Sequence, residues 1–226
     1  MRIWIESPYD FAKIERMVRK SGIKVSRTRP DFVIAYGGDG TILIAERKYP
    51  GVPKIPIPKS RICGKCFNYS AGNLPLVLEK LKKKEYTIQK ETKVEGIYRN
   101  KKIIGLNEIQ IRNRKPNVAL RFSLKSGSVN YKMVIGDGLV ASTPYGSTAY
   151  YRAMGYDPFA HGIRIGLNNC MPKSEPIEIR KIAKVKILRE EGVLLADNND
   201  KFISLEPGSV VTIRQSKEKA RFAKIL

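Results

Sequence analysis

Histidine and cysteine, which serve as bases, nucleophiles and zinc ligands in many enzymes, are scarce in the sequence. It contains one histidine and three cysteines in 226 residues. A Ser-His-Asp hydrolase needs a placed imidazole to take the serine proton, and a single candidate, His161, makes that class improbable. Cys63 and Cys66 form one C-x-x-C pair without a second pair, and Cys170 stands alone. A coincidental spacing or an intracellular disulfide explains the pair better than zinc binding or redox catalysis.

Acidic residues are also scarce. The chain has 21 Asp and Glu against 43 Lys and Arg, a net charge of +22. Such an excess indicates either acidic partners, among them nucleic acid, membrane surfaces and phosphorylated small molecules, or a solvated basic surface. No ribonucleoprotein motif, zinc-finger spacing or recognition helix accompanies the charge, so we predict no specific nucleic-acid partner.

Long apolar segments are missing. No apolar run approaches the roughly 18 residues that cross a bilayer. The first residues, Met1–Glu6, lack the apolar stretch of a signal peptide. We therefore expect a cytoplasmic protein without a membrane partner. A composition of 42% hydrophobic and 28% charged residues is that of a folded globular chain.

Two regions with different periodicity divide the chain. Residues 1–84 alternate apolar strands with helical patterns, including a helix after Asp10 and the continuous apolar strand Asp31–Tyr36. Residues 85–226 contain many short strands separated by turn dipeptides. We predict a small Rossmann-like α/β domain over 1–84, followed by an antiparallel β-sandwich over 85–226 whose C-terminal tail can return to the first domain.

A proline-rich segment interrupts the first region. Residues 49–58 contain four prolines, at positions 50, 53, 56 and 58. Proline lacks the N–H that a helix or a central strand requires. The segment is therefore predicted to be a loop, running across the surface or beside a site.

A glycine-rich turn follows the strand Asp31–Tyr36 and precedes a helical pattern over Ile42–Arg47. Ligands of α/β sheets collect at the carboxyl ends of strands. A phosphate could there be cradled by the backbone N–H groups at a helix N-terminus, and the candidate residues are Gly37, Gly38, Gly40 and Thr41. Asp39 would repel that phosphate unless it accepts a proton from an attacking hydroxyl or holds a bridging metal. The alternative is a tight turn in which Asp39 only caps the helix.

A second motif runs from Gly136 to Tyr150 and reads Gly-Asp-Gly-Leu-Val-Ala-Ser-Thr-Pro-Tyr-Gly-Ser-Thr-Ala-Tyr. Two turn clusters flank its strand-like Leu-Val-Ala, and the second can start a short helix through Ala153 that ends at Gly155. Its hydroxyls, carboxylate and exposed backbone suit hydrogen bonds to a ribose and a base edge, although such turns also join ordinary strands.

A third motif, Asn107-Glu108, interrupts a β-like segment with two adjacent polar side chains. Alternation along a strand would bury one of the two. Both an inward polar partner or ligand and a solvated edge remain open.

Together these motifs resemble the NAD kinase family in order and approximate spacing. The glycine turn is shared with diacylglycerol, sphingosine and phosphofructo-kinases, whereas the long motif is much more specific. The resemblance implies transfer of a phosphoryl group from ATP or polyphosphate to the adenosine-ribose 2′-hydroxyl of NAD, giving NADP, with a divalent metal such as Mg²⁺ accompanying the donor. It also implies a homodimer or homotetramer. The rival functions are a lipid kinase and a non-enzymatic basic nucleic-acid-binding protein.

The resemblance assigns roles to particular residues. Asp39 is the base that activates the 2′-hydroxyl, and no residue is assigned as a protein metal ligand. Asn107 and Glu108 hold NAD near its ribose and pyrophosphate region. The rest of the NAD pocket, part of it reaching a neighbouring subunit's site, is lined by Asp137, Tyr145, Thr148, Ala149 and Tyr150. The chain departs from the family at Tyr145, where Ser or Thr is usual, and at Asp197-Asn198, where the family has Asp-Gly.

Overall fold

The computed structural model describes residues 1–60, 64–65 and 69–226. Cys63 and Cys66, whose spacing favours coincidence or an intracellular disulfide, lie outside these residues. The chain forms two compact units, one of Met1–Glu91 with Lys219–Leu226 and one of Thr92–Glu218. The two compact units divide after Glu91. The domain boundary after residue 84 stays a prediction. No helix in the described part of the chain is long and apolar enough to cross a membrane.

The first unit alternates strands and helices around a parallel sheet. Its elements are β1 (Arg2–Glu6), α1 (Ala12–Lys20), β2 (Lys24–Val25), β3 (Phe32–Gly37), α2 (Asp39–Lys48), β4 (Lys54–Pro58), α3 (Leu74–Lys82), the start of β5 (Tyr86–Tyr98) and the end of β15 (Val210–Ile225). The parallel strands lie in the order β4-β3-β1-β2. The predicted α/β class of this region is therefore confirmed.

Helices cover both faces of this sheet. Ile14 of α1 and Leu78 of α3 belong to one core with Ile34 of β3. Strand alternation turns Val33 and Ala35 to the opposite face, and the buried side chains of α2 are absent from the first core. As β3 passes directly into α2, its carboxyl end carries the glycine-rich turn.

The proline-rich segment contains strand β4, so the predicted loop is wrong for residues 54–58. The N–H of Lys59 donates to the carbonyl of Gly37 at the end of β3 (3.0 Å). By alternation, the residues whose N–H groups point to β3 are then the odd-numbered ones. Pro56 and Pro58 fall at the even positions. The missing N–H groups are those that β3 does not use, which is why the prolines are tolerated.

The second unit is antiparallel. Its elements are the rest of β5, β6 (Lys101–Gly105), β7 (Glu108–Asn113), β8 (Leu120–Ser126), β9 (Val129–Ser142), α4 (Tyr150–Ala153), β10 (Arg164–Met171), β11 (Ile177–Glu178), β12 (Ala183–Arg189), β13 (Gly192–Ala196), β14 (Ile203–Leu205) and the start of β15. The strand order is β14-β13-β7-β9-β8-β12-β15, and β10 also pairs with β9. Alternating apolar residues of these strands form one hydrophobic core. The predicted antiparallel β region is confirmed.

Strand β9 runs through Gly136–Gly138, so the turn predicted there is wrong. A Cβ on Gly136 would collide with the carbonyl of Asn169 in β10, and one on Gly138 (φ +129°) with the carbonyl of Ile111 in β7. These glycines thus allow neighbouring strands to approach β9 closely. The short helix predicted after the motif is present as a 3-10 turn, Gly146–Thr148, followed by α4.

Candidate functional site

The glycine-rich turn forms a helix N-terminus at the carboxyl end of a parallel strand. β3 ends at Gly37, Gly38 is the N-cap, and α2 begins at Asp39. A Cβ at Gly37 would collide with the side chain of Thr41, which packs against it, so only glycine fits there. The unsatisfied N–H groups of a helix start and its partial positive charge favour phosphate at this place.

Asp39 is the first residue of α2, and Gly38 rather than Asp39 is the N-cap. The residue is exposed, and its carboxylate accepts hydrogen bonds from the backbone N–H groups of Gly64 (3.2 Å) and Lys65 (3.1 Å). Burial lowers the pKa of Lys65, and the nearby Asp39 charge opposes that shift. An exposed carboxylate held in one orientation beside a phosphate-favouring helix terminus is a suitable general base.

Asn107 and Glu108 are both buried, with 8% and 5% of their surface exposed. Alternation predicted that only one would be buried. The difference arises because Leu106 and Asn107 lie between β6 and β7, where the chain leaves the regular strand pattern.

The backbone of this segment is held by polar groups on two sides. The Asp197 carboxylate accepts the N–H groups of Leu106 (2.8 Å), Asn107 (2.7 Å) and Glu108 (3.1 Å). Thr143 donates its N–H to the Asn107 carbonyl (2.9 Å) and its hydroxyl to the Leu106 carbonyl (2.6 Å). The long motif, through Thr143, is thereby brought against the Asn107-Glu108 pair.

Two side-chain oxygens of this pair have no hydrogen-bond partner among the described residues: Asn107 Oδ1 and Glu108 Oε2. The other Glu108 oxygen accepts a hydrogen bond from Gln110 Nε2 (3.3 Å). Burial, with the Asp197 charge as a second cause, raises the pKa of Glu108 to about 7. Buried acceptors without donors are costly to a folded chain, so a ligand that supplies donors, such as ribose hydroxyls, fits here.

The turn after Thr143 packs tightly on the same segment. The N–H of Gly146 donates to the Thr143 hydroxyl (3.0 Å), and a Cβ on Gly146 would collide with the backbone of Asn107. Tyr145, one residue earlier, is half-buried. The structure therefore places Asn107 and Glu108 beside the Thr-Pro-Tyr-Gly turn, as one cluster.

The remaining candidate residues form a second group. Asp137 accepts hydrogen bonds from Asn169 Nδ2 (3.2 Å) and Asn113 Nδ2 (3.5 Å). Ser142 pairs with Glu108, and the six residues from Asp137 to Ser142 span about 17 Å of strand. Asp137 is thus not brought to the Asn107-Glu108 pair by the register of β9.

The helical end of the long motif is mostly exposed. Thr148 and Ala149 are exposed and Tyr150 is half-buried. The guanidinium carbon of Arg112 lies 5.7 Å from the centre of the Tyr150 ring, a cation–π distance. This aromatic surface can stack with a flat ligand ring.

Sequence reasoning missed the two residues that hold the backbone of the pair. Thr143 belongs to the long motif but is not among the candidate residues, and the sequence marks Asp197 only as a departure from the family. The available signal was position, because Asp197 directly follows the buried strand β13. The described residues contain no group of three or more His, Cys, Asp or Glu side chains that could hold a metal ion.

Known proteins are similar to this chain in sequence and in fold. A family model described as the ATP-NAD kinase C-terminal domain matches residues 106–225. The NAD kinase of Sulfurisphaera tokodaii is 32% identical over 146 residues, which are 62% of this chain and 55% of that protein. The chain thus spans about half the length of this curated relative.

Two solved structures share the fold. The crystal structure of an NAD kinase from Archaeoglobus fulgidus in complex with ATP has a TM-score of 0.81 at 22% identity, covering 98% of this chain and 93% of that one. The crystal structure of yeast NADH kinase complexed with NADH has a TM-score of 0.83 at 15% identity, covering 100% and 84%.

Proposed function

The chain belongs to the NAD kinase family, and we propose that it transfers a phosphoryl group from ATP or polyphosphate to the 2′-hydroxyl of the adenosine ribose of NAD, giving NADP. The observation that carries the proposal is the pair of buried acceptors without donors, Asn107 Oδ1 and Glu108 Oε2, inside the matched region. The family match favours this activity over a lipid kinase or a nucleic-acid-binding protein.

Asp39 is the proposed base. Its carboxylate takes the proton of the 2′-hydroxyl while the ribose oxygen forms a bond to the terminal phosphorus of the donor and the bond to the leaving phosphate breaks. The two backbone N–H groups that hold the carboxylate limit its orientations. Phosphoryl transfer requires mainly positioning and charge neutralisation, so one base suffices in a chain with a single histidine.

Asn107 and Glu108 are the proposed NAD ligands. An ionised Glu108 accepts hydrogen bonds from ribose hydroxyls, and the amide oxygen of Asn107 can do the same. Asp137 lies about 17 Å along β9 from this pair. Asp137 and Tyr150 are therefore proposed to contribute to the NAD pocket in part through a neighbouring subunit of a homodimer or homotetramer. Size-exclusion chromatography with light scattering tests that assembly.

A divalent cation such as Mg²⁺ would supply charge neutralisation on the donor phosphates. Mg²⁺ is usually held by one or two carboxylates together with substrate phosphates and waters. The described residues offer no closed acidic cluster, and a cation carried in by the donor fits such a chain. The exposed Asp39 carboxylate is the residue of the glycine-rich turn that could approach it.

The proposal is tested by measuring NADP formation from NAD with ATP or polyphosphate and Mg²⁺. We expect Asp39→Asn to lower kcat by a factor of about 10² to 10⁴, the usual contribution of a general base, with little change in the KM for NAD. Asp10→Asn is the matched control, because Asp10 is also exposed and Asn can likewise accept the N–H of Ala12. Nearly full turnover by Asp39→Asn would rule out its role as the base.

A further inference from the structure

Asp197 makes an unusual set of contacts for a residue just beyond a strand. Its carboxylate accepts three consecutive backbone N–H groups, those of residues 106–108. Its own N–H donates to the Glu108 carbonyl (3.1 Å). Asp197 adopts a φ of +49° to do so, a left-handed conformation that carries strain in a residue with a Cβ. The strain is compensated by this concentrated hydrogen bonding.

The loop is shaped around this carboxylate. A Cβ on Gly105 would collide with the carbonyl of Glu108 and lie 3.0 Å from Asp197 Oδ1, so only glycine lets the chain close there. On the other side, Thr143 occupies the carbonyls of Leu106 and Asn107. On the side of residues 106–108, all these bonds use backbone atoms. They leave the partnerless side-chain oxygens of Asn107 and Glu108 to a ligand.

The charges around Asp197 come from two strands. Burial raises the pKa of Asp197, while the three N–H donors and Lys93 of β5 oppose that shift. The Nζ atom of Lys93 is itself 3.7 Å from Glu218 Oε2. The Asp197 charge also contributes to the raised pKa of Glu108 in β7. An acceptor with three donors and a nearby cation is well suited to hold a backbone segment rigidly.

We propose that Asp197 is a positioning residue for the nucleotide: its carboxylate fixes the backbone of residues 106–108 so that Asn107 and Glu108 present their unused oxygens to NAD. The inference rests on the proposed function of the same site. It assigns Asp197 no contact with the reacting atoms. Loss of its charge therefore affects NAD binding more than the chemical step.

The test compares Asp197→Asn with Asp200→Asn, an exposed acid three positions downstream. We expect the KM for NAD to rise about tenfold or more in Asp197→Asn, because charge-assisted hydrogen bonds are lost. The KM for ATP should change less than about twofold, and Asp200→Asn should match the unmodified protein. Amide hydrogen exchange should become faster at Leu106, Asn107 and Glu108 in Asp197→Asn alone.

An unchanged KM for NAD, or equal losses for NAD and ATP, would overturn the inference. If Asp197→Asn does not fold, Asp197→Glu is measured, since it keeps the charge but displaces the carboxylate; failure of both to fold assigns Asp197 to stability and also overturns the inference. If the unmodified chain makes no NADP, the proposed function fails. Hydrogen exchange at residues 106–108 still decides in that case whether Asp197 holds the loop.

Discussion

Burial and the neighbouring Asp197 carboxylate both raise the pKa of Glu108. Its pKa rises from 4.5 to about 7, because the side chain is 5% exposed and lies near Asp197. The sequence indicated a polar pair in a β-like segment but not that both members are buried. That outcome depends on Asp197 and Thr143, which are distant in sequence and occupy the backbone groups of the loop.

This shift makes stability depend on pH. Between pH 4.5 and about 7, native Glu108 holds a proton that the unfolded chain releases, so the free energy of unfolding decreases as the pH rises. The decrease approaches about 3 kcal/mol above pH 7. Glu108→Gln should flatten this part of the profile. Urea unfolding at pH 5 and pH 8 measures the change in the free energy of unfolding. An equal change between the two pH values for the unmodified protein and Glu108→Gln would contradict the prediction.

Among the elements, β4 and β9 show where residue type misled the prediction. Proline and glycine usually interrupt strands, yet Pro56 and Pro58 lie in β4, and Gly136 and Gly138 lie in β9. In β4, the prolines occupy the positions whose N–H groups β3 does not need. In β9, the glycines admit neighbouring strands that would collide with any Cβ. Both exceptions depend on strands that the local sequence does not contain.

Gly138→Ala should therefore destabilise the second unit. The new Cβ would collide with the Ile111 carbonyl at a φ of +129°, and we expect a loss of about 3 kcal/mol or more. Gly127→Ala is the matched control, because Gly127 also has a positive φ (+56°) but open space around its Cβ position. Gly127→Ala should lower the free energy of unfolding by about 1 to 2 kcal/mol. Urea unfolding compares the two, and equal losses would show that backbone conformation alone sets the cost.

For the whole molecule, the net charge of +22 is compatible with phosphate-bearing substrates but does not identify them. A few cations would suffice at the proposed phosphoryl-transfer site, so most of the 43 Lys and Arg residues are not needed there. Lys82, at the end of α3, donates to the carbonyl of Ser21 just beyond α1. This is the amino-terminal edge of the parallel sheet, opposite the carboxyl ends at which Asp39 lies.

Neutralising the exposed cluster Lys82-Lys83-Lys84 should thus leave catalysis nearly unchanged. Strands of five or six residues separate the two edges by about 17–20 Å, while the Debye length is about 10 Å at 0.1 M salt. We expect the triple variant Lys82→Gln, Lys83→Gln and Lys84→Asn to keep kcat/KM for NAD within about twofold at that salt concentration. A tenfold loss measured by steady-state kinetics would instead assign the surface charge a direct role in substrate capture.

Apolar periodicity along the chain was enough to predict an α/β region followed by an antiparallel region, because that periodicity depends on neighbouring residues. The sequence also located the glycine-rich turn at a strand end, since strand, glycines and helix are consecutive in the chain. Long-range contacts in the folded protein were needed to establish that β4 is a strand, that β9 runs through Gly136–Gly138, and that Asp197 holds the backbone of Asn107 and Glu108. In each case the deciding contacts join residues far apart in sequence, and a local pattern carries no information about which distant N–H, carbonyl or carboxylate will lie beside it.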